Sequence, residues 1–495
     1  MMERYSANMS KIKKHVACLG LLFIGVSTAF TDDSRPNILW LFSDDHAFQA
    51  IGAYGGRLQS SNLTPNLDSI ASEGMRFDKC YVGNSICAPS RATLLTGKHS
   101  HLHGKIDNLG PFNHDQQQFQ KILRQNGYQT AMIGKIHLYG KMQGFDYWEV
   151  LPGQGRYENP IFISESGEKT YKGHSTDVIT DRALHWLKTG RDETKPFMAM
   201  VHYKAPHRNW FPAERFRKKF ENMSFPEPDT LFDDYKGRGT AARRQDLSIA
   251  KTMTMGHDFK VDRWAYRKTE LLESGLIGKE LVRAKYQTYM RDYLACIAGV
   301  DENVGRLLDY LKESGLDKNT IVMYSADQGF YLGEHGWFDK RFMYEESFRT
   351  PLLAKWPGVI QPGSVNTDLV QNIDFAESFL DLAGVEAPAD MQGESIVPLL
   401  RGNTPSDWRD SLYYHYYEYP GCHSVRRHEG VATQRYKLIR FYGPDVPNGE
   451  EWELYDLERD PREMKNEYNS PEYKAVVQTM KEKLTALIKE YKLPQ

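Results

Sequence analysis

Four short apolar runs, at 37–42, 130–133, 196–201 and 319–324, are separated by long stretches of helical periodicity. Runs of this length without polar alternation suit strands buried on both faces of a parallel sheet. The stretches between and after them predict helices at 64–74, from 92 onward, and at 119–126, 177–187, 285–311 and 374–382. Pro65 and Gly74 punctuate the first of these, and Gly127 caps the third. Alternating strands and helices predict an α/β fold, a large mostly parallel sheet sandwiched by helices. Beyond 403 the texture changes. Segments 411–419, 430–433, 436–441 and 453–455 are strand-like, and 473–492 is amphipathic. They predict a smaller antiparallel sheet with a closing helix. Residues 209–282 are polar and irregular, and so long a connection is usually functional. We expect it to wall a cleft.

Every apolar run ends in chemistry. The first gives way to Asp44, Asp45 and His46, the second to Lys135 and His137, the third to Lys204 and His207, the fourth to Asp327 and Gln328. The C-terminal ends of strands are where α/β sheets place ligands. Adjacent carboxylates such as Asp44 and Asp45 repel each other unless a cation lies between them. Lys135 and His137, two apart on an extended segment, point the same way.

Composition narrows the picture. The chain has 495 residues, 40% of them apolar, which allows a sizeable core and excludes wholesale disorder. A net charge of −2 leaves no basic surface for nucleic acid, so a charged substrate is held by local groups. Lys11, Lys13 and Lys14 precede an apolar stretch at 16–26, too short to span a bilayer, and Ser27-Thr28-Ala29 offers a cleavage site. We therefore expect a signal peptide at 1–29, a main domain at 30–402, a C-terminal subdomain at 403–495, and a secreted or periplasmic location. No later stretch reads as a membrane span. Of five cysteines, Cys18 leaves with the signal; Cys80, Cys87, Cys296 and Cys422 are too few for a disulfide framework. A Cys80–Cys87 pair is the plain alternative for the second of them.

The most specific stretch is Cys87-Ala88-Pro89-Ser90-Arg91, followed by Ala92-Thr93-Leu94-Leu95-Thr96-Gly97-Lys98. It resembles the signature of the formylglycine-dependent sulfatase family, which has an alkaline-phosphatase-like fold. The resemblance extends over nearly the whole mature chain and implies a last main-domain strand within 349–358. It also implies that Cys87 is converted to formylglycine (3-oxoalanine) by a formylglycine-generating or anaerobic sulfatase-maturating enzyme. Asp44, Asp45, Cys87, Asp327 and Gln328 match the family's metal ligands, with Gln328 where Asn is commoner. Oxygen donors of this kind favour calcium or magnesium over zinc, and the resemblance implies Ca2+. Arg91 matches the group holding the aldehyde diol. Lys135, Lys204 and Lys340 match sulfate contacts, His207 the general acid, and His137 the base that helps expel sulfate. In its wording the chain is similar to bacterial carbohydrate sulfatases of the N-acetylglucosamine-6-sulfatase type. This implies a sulfated glycan substrate attacked at a terminal 6-O-sulfated amino sugar, with Arg427 and His428 in the pocket. The aromatic run 413–419 and Phe232-Asp233-Asp234-Tyr235 are further candidate sugar contacts. Three alternatives stand beside this reading: another sulfate position, a phosphodiesterase or phosphonate hydrolase on the same scaffold, and a silent glycan-binding protein whose Cys87 stays a thiol.

Overall fold

Asn37–Ser43 forms β1, and all seven of its residues are buried. The reason is that β1 has a strand on each side and helices on each face. Ile38, Trp40 and Phe42 pack into one core with Phe375 and Phe379 of the helix Asp374–Leu382. Leu39 and Leu41 point the other way, into a core with Tyr293, Leu294 and Ile297 of the helix Gly278–Ser314. Successive side chains of a strand face opposite sides, so burial on both faces demands an unbroken apolar run. The computed structural model describes residues 35–259, 271 and 274–493. The expected signal peptide at 1–29 lies outside them.

In chain order the further strands are β2 (Met75–Phe77), β3 (Cys80–Tyr81), β4 (Gln129–Lys135), β5 (Tyr147–Leu151), β6 (Ile161–Ser164), β7 (Gly167–Thr170) and β8 (Phe197–Tyr203). There follow β9 (Thr320–Ala326), β10 (Leu352–Lys355), β11 (Ser364–Asn366) and β12 (Val370–Gln371). Among the described residues the large sheet has the order β11-β2-β10-β9-β1-β8-β4-β5-β6-β7. Its centre, β9-β1-β8-β4-β5, is parallel. Antiparallel pairings flank it, with β10 beside β9 on one side and β6 beside β5 on the other. The four runs read from the sequence are thus β1, β4, β8 and β9, four neighbouring parallel strands whose C-terminal ends open on one edge.

Gly134 in β4 shows how closely these strands approach. It sits at φ +102°, and a Cβ there would lie 2.0 Å from the carbonyl oxygen of His202 on β8. Overpacking of this kind costs about 1–3 kcal/mol. We expect Gly134→Ala to lower the urea or thermal unfolding midpoint accordingly; an unchanged midpoint would contradict the register of β4 on β8.

The helix expected from 92 begins at Cys87 and runs to Thr96, with all ten residues buried. Pro89 fits its first turn, where no intrahelical partner for an N–H is lost. Asn108 Oδ1 accepts the N–H of Ala88 at 3.0 Å.

The smaller sheet is antiparallel, in the order β13 (Leu412–Tyr416), β14 (His428–Ala432), β15 (Tyr436–Tyr442) and β16 (Glu450–Asp456). Tyr413, Val431, Leu438 and Leu454 pack against Met480, Leu484 and Leu487 of the closing helix Lys474–Glu490. The opposite face, through Tyr414, Tyr416, Ile439 and Phe441, packs against Trp337, Phe342, Tyr344 and Phe348. Those residues flank Lys340, so the small sheet backs the loop that carries this lysine. Among the described residues no helix is long and apolar enough to cross a membrane.

Candidate active site

The parallel centre brings four strand ends to one place. Asp44 and Asp45 leave β1, Asp327 and Gln328 leave β9, Lys135 ends β4, and Lys204 follows β8. The helix Cys87–Thr96 delivers Cys87 and Arg91 to the same point. Asp44, Asp45, Cys87, Arg91, Lys135, Asp327 and Gln328 are each 0% exposed.

Cys87 Sγ donates to Asp44 Oδ1 at 3.3 Å. The backbone N–H of Asp45 donates to Asp327 Oδ1 at 3.0 Å. Arg91 Nε donates to Asp327 Oδ2 at 3.0 Å and Nη1 to the Lys135 carbonyl at 2.6 Å, which ties the motif helix to β9 and β4. Lys135 pairs with Asp44 and also bonds Gln154. Lys340 Nζ reaches both oxygens of Asp45, at 2.6 and 2.8 Å. His207 Nε2 lies 3.9 Å from Asp45 Oδ2.

The electrostatics follow from burial among mixed charges. Burial pushes the Asp45 carboxyl up to about 6, against the pull of Lys340 and with reinforcement from Asp327. Burial likewise raises the Cys87 thiol far above its ordinary value, so the thiol stays protonated here. Lys204 is brought down to about 8 by burial, partly offset by Asp45. His207 is held well below its usual range by burial and by Lys135, Lys204 and Lys340. His137, 4% exposed, is pushed down to about 2 by burial and by Lys135, Arg91 and Lys340.

The donor set fits a hard divalent cation. One oxygen each of Asp44, Asp45 and Asp327 lie within 4.8 Å of one another. Gln328 Oε1 is buried without a hydrogen-bond partner, and its amide nitrogen bonds Asp45. Turning that amide over presents an oxygen to the same carboxylates. Carboxylate and amide oxygens suit calcium or magnesium. Burying three carboxylates side by side is costly, and a cation among them relieves the repulsion.

Above this floor opens a cleft of about 720 Å3. Lys204, His207 and Lys340 line it together with Gln154, Arg156, Tyr157, Arg208, Asp339, Arg341 and His423. The long connection contributes Asn209, Phe211 and His257 to the wall, while part of it, 260–270 and 272–273, lies outside the described residues.

Several expected sugar contacts are elsewhere, a correction to the sequence reading. His428 is 0% exposed; its Nδ1 donates to the Arg426 carbonyl at 2.7 Å, and its Nε2 accepts the Met343 N–H at 3.1 Å. Arg427 is outside the cleft lining, with Nε on the Tyr417 carbonyl at 2.9 Å. Tyr413, Tyr414 and Tyr416 are core residues of the small sheet. Asp233 pairs with Arg238 and His335, and the Tyr235 hydroxyl accepts from Trp337 Nε1 at 2.7 Å. These groups brace the loop before Lys340 rather than a pocket. Sequence reasoning missed Gln154, Tyr157 and Arg341. The signals were available: a glycine-rich polar segment around 153–159, and charges crowded at 339–341, where Asp339 and Arg341 take φ of 72° and 98°.

Cys80, Cys87 and Cys296 are buried and Cys422 is exposed, and none of the four is in a disulfide, so the Cys80–Cys87 pair is not formed.

Comparison with known proteins bears on the family to which the chain belongs. The family model described as Sulfatase matches residues 36–385, and that for the C-terminal part of N-sulphoglucosamine sulphohydrolase matches 333–490. An N-acetylglucosamine-6-O-sulfatase of Bacteroides thetaiotaomicron is 50% identical, over 93% of this chain and 88% of its own length. The N-acetylglucosamine-6-sulfatase of Homo sapiens is 29% identical over 81% of this chain and 69% of its own. A solved structure described as a complex with its substrate D-glucosamine-2-N,6-O-disulfate has a TM-score of 0.88 at 49% identity, covering 92% of this chain and 98% of its own.

Proposed function

We propose that this chain, which belongs to the sulfatase family, removes the 6-O-sulfate from N-acetylglucosamine or a related amino sugar at the end of a glycan. The observation that carries the reading is the placement of Cys87, 3.3 Å from Asp44, on a floor of carboxylates under lysines that open into a sugar-sized cleft. The 50% identity to an enzyme named for this activity supports the choice of sugar.

Asp44, Asp45, Asp327 and Gln328, with the group at position 87, would hold Ca2+. When bound, the cation supplies charge neutralisation and makes an oxygen ligand more acidic. Formylglycine, once installed at Cys87 by a maturating enzyme, would supply an oxygen nucleophile that a buried, protonated thiol cannot. The chain's own residues do the rest. Lys135, Lys204 and Lys340 hold the sulfate oxygens and offset the charge that shields sulfur from attack. His207 Nδ1 faces the Arg208 carbonyl and therefore carries a hydrogen, which leaves Nε2 to exchange a proton with the leaving sugar oxygen. Without substrate, burial and then the nearby lysines keep His207 neutral; an anionic ester seated among the lysines offsets their repulsion and favours its protonation. Arg91 fixes the motif helix against Asp327, and His137 takes a proton when sulfate departs. The leader at 1–29 would export the chain to the periplasm or beyond.

Sulfate release from a panel of monosulfated sugars tests the assignment. We expect 6-sulfated N-acetylglucosamine to be preferred over 2-, 3- and 4-sulfated sugars by more than about tenfold in kcat/KM. Failure to turn over any 6-sulfated sugar would refute it. A chelator should abolish turnover and added Ca2+ should restore it; full activity in metal-free protein would refute the cation's role.

A further inference from the structure

The cleft wall at 154–159 carries a tyrosine that touches two of the groups just assigned. Tyr157 is 6% exposed and lines the cleft. Its carbonyl accepts the N–H of Ser175, first residue of the helix Ser175–His185, at 2.6 Å. Its ring stacks on His174, centroids 5.5 Å apart. Thus fixed, the side chain meets the turn that follows β8. The Tyr157 hydroxyl donates to the His207 carbonyl at 2.7 Å. The Lys204 ammonium lies 4.7 Å from the centroid of the same ring. Lys204 and His207 are the two ends of that turn, closed by the His207 N–H on the Lys204 carbonyl at 3.0 Å. Among the described residues Lys204 forms no ion pair with a carboxylate, so the ring face is what orients its ammonium.

We propose that Tyr157 is a positioning residue that sets the proton donor His207 and the sulfate-holding Lys204 in one register. The proposal rests on the roles given to those two residues above. The hydroxyl and the ring act on different partners, so two variants separate them. Tyr157→Phe frees the His207 carbonyl and keeps the ring under Lys204. Tyr157→Leu removes both contacts.

The test uses N-acetylglucosamine 6-sulfate as substrate and inorganic sulfate as competitive inhibitor. Tyr157→Phe is expected to lower kcat by about 10–100-fold, the scale of a misplaced catalytic group, with the sulfate Ki unchanged. Tyr157→Leu is expected to lower kcat at least as far and to raise the sulfate Ki by about 3–10-fold, the worth of a lost cation–π contact. Wild-type kcat in Tyr157→Phe, or a wild-type sulfate Ki in Tyr157→Leu, would overturn the proposal. A mere loss of folded protein lowers kcat in both variants and moves neither Ki, so it counts against the role. His207→Ala and Lys204→Ala are run alongside. Wild-type kcat and sulfate inhibition in those two would locate the failure in the underlying assignment rather than in Tyr157.

Discussion

Cys87→Ala is expected to lower kcat by at least about 10⁴-fold, the scale of deleting the nucleophile from a site that works by covalent catalysis. The side chain is fully buried, meets Asp44, and stands at the first turn of a wholly buried helix. Alanine keeps the helix and the packing, so the protein should still unfold in a single transition near the wild-type midpoint. The lysines and carboxylates remain, and substrate should still bind. What disappears is the side chain at which the proposed formylglycine would present an attacking oxygen to sulfur. Sulfate release measured beside thermal unfolding checks both halves. A variant that keeps more than a tenth of wild-type turnover would contradict the role of Cys87.

The second large effect is that of His207→Ala. A sugar oxygen leaves poorly unless it receives a proton, and a positioned acid contributes about 10²–10⁴-fold. We expect kcat to fall by that factor with KM little changed, since Lys204 and Lys340 still hold the sulfate. His207 borders the open cleft with its side chain 14% exposed, so its loss should leave stability almost untouched. Steady-state kinetics on N-acetylglucosamine 6-sulfate decide. A rise in KM at constant kcat would show that His207 binds the ester rather than protonating its leaving group.

Much of this floor was legible because strands buried on both faces have no room for polar residues. Where β1, β4, β8 and β9 end, polarity returns at once, and the first charged residues are the ones that converge. The motif at 87–91 added a nucleophile that no periodicity could supply. The helix expected from 92 starts five residues earlier, at Cys87, because proline at position 89 is permitted in a first turn. The far wall was not legible for a different reason. In β13 alternate tyrosines face two apolar layers, Tyr413 toward the closing helix and Tyr414 and Tyr416 toward Trp337 and Phe342. A strand covered on both faces by aromatic cores has the same composition as a sugar-stacking surface, so 413–419 and His428 were drawn toward the pocket. Tyr157 and Gln154 escaped notice because they act from a loop, where neither period nor spacing marks a side chain aimed at a distant turn.

The mechanism depends on position 87 working as an oxygen nucleophile made from a thiol. Trypsin cuts after Lys79 and Arg91, so residues 80–91 form one peptide whose mass reports the change. In protein that releases sulfate from N-acetylglucosamine 6-sulfate, that peptide should be about 18 Da lighter than the thiol form, and turnover should scale with the converted fraction. Full turnover by protein whose Cys87 is entirely thiol would contradict the account.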